Sequence, residues 1–89
     1  MNATTMRLSK HVKFREEKFG SVLFETRSER VFTLNPIATA VVRQIKSGCG
    51  DDNELVSRLK HHYEDRDGCI EREALAFIAD LRHRGLVED

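Results

Sequence analysis

The sequence predicts an α+β fold, a three-stranded antiparallel sheet followed by three helices packed on one of its faces. Three observations carry this. As far as Leu34 the apolar residues come in short bursts that alternate with polar ones, the period of a strand. At Asn35-Pro36 the period lengthens to that of a helix. From there to Gly85 three amphipathic stretches follow, separated by turns rich in Gly and Asp.

Met1–Thr5 hold nothing that would anchor them and are expected to fray, which leaves 6–89 as a single domain. Val12 and Phe14 alternate with Lys13 and Arg15 and give the first strand. After Phe19-Gly20, the run Ser21-Val22-Leu23-Phe24-Glu25 gives the second, and Val31-Phe32-Thr33-Leu34 the third. The polar segment Thr26–Arg30 between them has the length of a hairpin loop. Asn35 is a good helix N-cap, because its side-chain oxygen accepts an orphan backbone N–H, and Pro36 suits the first helical position. Ile37, Ala40, Val41, Gln44 and Ile45 then fall at helical spacing until Ser47-Gly48 ends the run.

Cys49–Asp52 reads as a turn. Asp51, Asp52 and Glu54 put negative charge where the next helix dipole favours it, and Leu55, Val56, Leu59 and Tyr63 form its buried stripe. Glu64–Gly68 breaks that helix. The third runs from about Glu71 to Arg84 on a stripe of Ala74, Leu75, Ile78 and Leu81. Gly85 caps it, and Leu86-Val87 folds back as the apolar contact that often follows such a cap. Three strands and three helices at this size give a winged helix-turn-helix-like shape, with the sheet placed first.

Eighty-nine residues, 39% hydrophobic and 34% charged, suffice for one core. Fifteen Lys and Arg balance fifteen Asp and Glu, which argues against a uniformly basic nucleic-acid binder. The balance is uneven along the chain: residues 1–20 carry net +3, residues 21–50 net +2 and residues 51–89 net −5. The sequence shows neither a membrane-length apolar run nor a signal peptide, and Cys49 and Cys69 read as two reduced thiols, so a cytoplasmic location is expected.

The residues offer little to catalysis. Cys49, Cys69, His61 and His62 lack the spacing of a zinc site, and adjacent histidines on a helix point about 100° apart. Gly48-Cys49-Gly50 lacks the lysine and hydroxyl of a phosphate loop, so neither catalytic residue, metal nor cofactor is expected. A DNA-reading helix-turn-helix in 52–84 is the alternative, opposed by the −5 charge of that part of the chain. Peptide binding fits better. As the last strand of a meander, Val31–Leu34 lies at an open edge that can accept a further strand. Phe77 is a spare apolar residue beside the third helix's stripe, which either widens the core or faces a groove, and Arg30, Asp80 and Arg84 are placed to rim that groove.

The order of these segments resembles the PqqD family. The resemblance rests on Phe19-Gly20-Ser21-Val22-Leu23-Phe24, a polar loop, and Val31-Phe32-Thr33-Leu34-Asn35-Pro36-Ile37-Ala38. It continues through Glu54-Leu55-Val56, Leu59, Tyr63, Ile70, Phe77-Ile78, Leu81 and Gly85-Leu86-Val87. It implies a RiPP recognition element, a peptide chaperone that binds the leader of a ribosomally made precursor and presents it to a radical S-adenosylmethionine (radical SAM) enzyme, as in pyrroloquinoline quinone (PQQ) biosynthesis. It further implies that the leader adds as a strand to Val31, Phe32, Thr33 and Leu34, in a cleft walled by Phe77, Leu81 and Arg84. The connection Lys46–Asp51 follows the family's Asp-Gly-type turn only loosely, so the resemblance implies the family and leaves the pathway open.

Overall fold

A computed structural model describes residues 6–63 and 68–88. The chain runs through β1 (Arg7–Leu8), β2 (Val12–Glu17), β3 (Gly20–Glu25), β4 (Arg30–Leu34), α1 (Pro36–Lys46), α2 (Asp52–His62), α3 (Cys69–His83) and β5 (Val87–Glu88). Met1–Thr5, expected to fray, and the Glu64–Asp67 part of the expected helix break lie outside the described residues.

The alternating stretch forms the expected antiparallel sheet, in the order β2-β3-β4. Leu23 of β3 sits opposite Phe14 on one side and Phe32 on the other. Because side chains alternate along a strand, these three share one face, with Ser21, Glu25 and Leu34, and the helices cover it. Gly20, where β3 begins, has φ 146°, and a Cβ there would lie 2.1 Å from the carbonyl oxygen of Leu34. Only glycine lets the start of β3 approach the end of β4 so closely.

The sheet passes into α1 as the Asn35-Pro36 signal predicts: Asn35 Oδ1 accepts from the Ala38 N–H at 2.8 Å, with Pro36 in the first turn. Val41, Val42 and Ile45 of α1 are buried, and the helix packs on β3, α2 and α3. Two hydroxyls enter this apolar contact. Ser21 and Thr39 are both buried and hydrogen-bond each other at 2.7 Å, so neither is left unsatisfied.

In α2, Asp51 caps the helix by accepting from the Asn53 N–H, and Leu55, Val56 and Leu59 are buried. Tyr63 is not in the stripe: it is the C-cap residue, 37% exposed. Its backbone has left the helix, so the helical spacing from Leu59 no longer aims it inward. In α3 the core face is Ala74, Ile78 and Leu81, whereas Leu75 is 39% exposed, on the helix flank beside Val56 and Lys60 of α2. The helix also starts earlier than the charge pattern suggests, at Cys69. Cys49 is buried and Cys69 exposed, and both are free thiols.

The cap of α3 is a Schellman motif. With Gly85 at φ 74°, Leu86 N–H donates to Leu81 O at 2.9 Å and Gly85 N–H to Arg82 O at 3.1 Å. The motif turns Leu86 and Val87 into the core. There the chain does more than fold back. Val87-Glu88 pairs antiparallel with Arg7-Leu8, an unexpected two-stranded clasp held further by Ser9 N–H to Leu86 O at 2.9 Å and an Arg7–Glu88 ion pair. Among the described residues, no helix is long and apolar enough to cross a membrane.

Candidate peptide-binding site

The order β2-β3-β4 puts β4 at an edge. β3 occupies one side of its backbone, and among the described residues no strand pairs with the other. Since ladder bonds alternate in direction along an antiparallel strand, β4 offers a row of N–H and C=O groups to any chain laid beside it. Its side chains divide by parity. Phe32 is half-buried and Leu34 buried on the helix side, while Val31 (60% exposed) and Thr33 face outward.

Beside this edge, α3 leaves a cleft of about 330 Å³. Leu23, Leu81 and Leu86 form its apolar lining deepest in the fold. Phe77, Asp80 and Arg84 come from one face of α3, at the three- and four-residue steps that stack side chains along a helix. Phe77 is half-buried and packs against the core while lining the cleft, so both readings of it from the sequence apply. Arg84 spans the gap: its guanidinium carbon lies 5.3 Å from the Phe32 ring centroid, and its Nε donates to Asp80 Oδ2 at 2.9 Å.

The cleft opens at the hairpin end of β4 into a second hollow of about 730 Å³, which shares Phe32, Arg84 and Leu86 with it. Glu25, Arg27, Ser28, Arg30 and His83 complete this hollow. Glu25 points inward, and its Oε1 accepts from Ser28 N–H at 2.8 Å and Arg27 N–H at 2.7 Å. The Ser28 bond foremost, then the Arg27 side chain, hold the Glu25 carboxyl below its ordinary range. This carboxylate therefore ties the turn that carries Arg27 and leads into Arg30 of β4.

All the residues expected at the groove line this one cleft except Arg30, which opens on the hollow beside it. Sequence reasoning missed Glu25, Arg27, Ser28 and His83. Glu25 carries a usable signal, an acid at an inward-facing position of an otherwise apolar strand. The histidines and thiols do not converge: His61 and His62 are exposed on α2, and among the described residues no three potential ligands gather around a metal position. Burial pushes the Cys49 thiol up, away from the thiolate a nucleophile needs.

The site thus combines an unpaired edge of β4, among the described residues, with a cleft of mixed apolar and charged lining beside α3. The chain belongs to the PqqD family: the family described as Coenzyme PQQ synthesis protein D (PqqD) matches residues 20–87. Two solved structures share the fold. One is a lasso peptide synthetase B1 complexed with the leader peptide, 23% identical, with a TM-score of 0.79 over 97% of this chain and 100% of that one. The other is TbiB1 in complex with the TbiA(beta) leader peptide, 20% identical, with a TM-score of 0.79 over 92% of this chain and 94% of that one. No curated protein matches the sequence.

Proposed function

We propose that this chain binds the leader segment of a ribosomally made precursor peptide as an added strand on β4 and hands it to a modifying enzyme. The observation that carries the reading is the accessible edge of Arg30–Leu34 lying directly beside the cleft walled by α3. Membership of the PqqD family supports it, as do two structural neighbours solved with leader peptides. Backbone hydrogen bonds to β4 supply affinity with little sequence demand, and alternate peptide side chains entering the cleft supply selectivity. Ordering a disordered leader offsets roughly 2–5 kcal/mol of the gross interaction. The expected net is about −8 to −9 kcal/mol, micromolar to submicromolar binding. The site residues proposed are Val31, Phe32, Thr33 and Leu34 for pairing, with Phe77, Asp80, Leu81 and Arg84 at the cleft and Arg30 at its end.

In this reading the chain is non-catalytic and works in the cytoplasm, where precursor peptides are made. It raises the leader's local concentration beside the enzyme that does the chemistry. The PqqD resemblance favours a radical SAM maturase as that enzyme. The test is an amide NMR titration of labelled protein with the leader segment of a candidate precursor. Shifts concentrated on residues 30–34 and 76–84 are expected; a saturating response confined to α2 would overturn the reading.

A further inference from the structure

Resting on the strand-addition reading, we infer that the hollow at the hairpin end of β4 is a subsite for an acidic side chain of the bound peptide, two residues from the apolar side chain that fills the cleft. The charge there is one-sided. Arg27, Arg30 and Arg84 line the hollow against one carboxylate, Glu25, in a chain whose net charge is zero. Two of these cations are already engaged, Arg27 with Glu25 at 3.2 Å and Arg84 with Asp80 at 2.9 Å. Arg30 is exposed and has no acidic partner among the described residues. His83 lines the same hollow and offers a ring N–H.

The spacing follows from strand geometry. Arg30 and Phe32 are two residues apart on β4 and share its helix-side face. On a strand added beside β4, the residue alongside Phe32 enters the cleft, and the residue two positions away faces Arg30. The bound motif is therefore an apolar residue, any residue, and Asp or Glu. An added antiparallel strand carries the acid on the C-terminal side, a parallel strand on the N-terminal side. A guanidinium free to take a carboxylate bidentately makes the preference for an acid specific.

A displayed library of random 14-residue peptides, selected on the wild-type protein, on Arg30→Glu, on His83→Glu and on Phe77→Asp, tests this. Wild-type selection should enrich the apolar-x-acidic spacing. Arg30→Glu should bind the enriched peptides about tenfold more weakly and itself select Lys or Arg at the acidic position; His83→Glu should shift selection in the same direction. Enrichment of apolar anchors that depend on Phe77, with no acidic bias, would overturn the subsite while leaving strand addition standing. Enriched peptides indifferent to Phe77→Asp, or no enrichment at all, would overturn both. Arg30 and His83 are both exposed, so unchanged circular dichroism is expected for Arg30→Glu and His83→Glu and verifies that binding, not folding, was altered.

Discussion

The two edges of the sheet are built on opposite plans. β2 has the sequence VKFREE, and three of its four charges are paired, Arg15 with Glu17 and Glu16 with Arg43 of α1, while Lys46 of α1 lies over the Phe14 ring. β4 has the sequence RVFTL, with one charge, at its start, and among the described residues no strand pairs with its outer edge. Charge on an edge strand discourages further pairing, whereas an apolar edge invites it. One sheet thus carries a defended edge and an available one, and the cleft lies beside the available one.

The largest effect should come from Gly20, which holds the end of β4 in place. Gly20→Ala forces a left-handed, crowded position on a residue with a Cβ and is expected to cost on the order of 3 kcal/mol, read by urea unfolding. Near-wild-type stability would mean that β4 can shift without loss and that its edge is not rigidly placed. Next comes Phe77→Asp, expected to weaken binding of a peptide selected on the wild-type protein by about tenfold or more with the fold retained. Arg43→Ala, beside the other edge, should leave that binding unchanged; equal losses would erase the distinction between the edges. Ser21→Ala strands the buried Thr39 hydroxyl and should lower stability by about 1–2 kcal/mol, while Ser21→Ala combined with Thr39→Val should recover most of it. That pair joins β3 to α1 midway between the edges, so peptide affinity should not follow it.

The smallest effect concerns acid. The Arg43 hydrogen bond holds the Glu16 carboxyl below its ordinary value of 4.5. A depressed folded-state value gives stability that is fully present above 4.5 and is lost as pH falls through the lower folded value. Arg43→Ala should remove part of that acid-dependent loss in unfolding curves recorded at successive pH values. An unchanged pH profile would mean that the pair leaves the defence of β2 to its other charges.

Local chemistry makes much of the fold and the cleft legible in the sequence. Asn35-Pro36 marks the passage from sheet to helix, Gly85-Leu86 the reversal after α3, and the order of segments puts Val31–Leu34 at an edge. Those signals act over a few residues. What the sequence conceals depends on distant residues meeting. Arg27 and Arg30 share a hollow with His83 only because α3 returns across the hairpin, and no local pattern encodes that return. Tyr63 and Leu75 fit a helical stripe by spacing, yet exposure is decided by where the helix stops and which neighbour it meets. Two strands of two residues each, at opposite ends of the domain, carry too little pattern to predict their pairing.

That clasp gives the domain a temporal order. The β2-β3-β4 hairpins join residues close in sequence and can close early, whereas Arg7 and Glu88 lie 81 positions apart. The clasp is therefore expected to close late in folding and to open early in unfolding, carrying the buried Leu86 and Val87 with it. Leu8→Ala should accordingly speed unfolding in stopped-flow measurements and leave the refolding rate nearly unchanged.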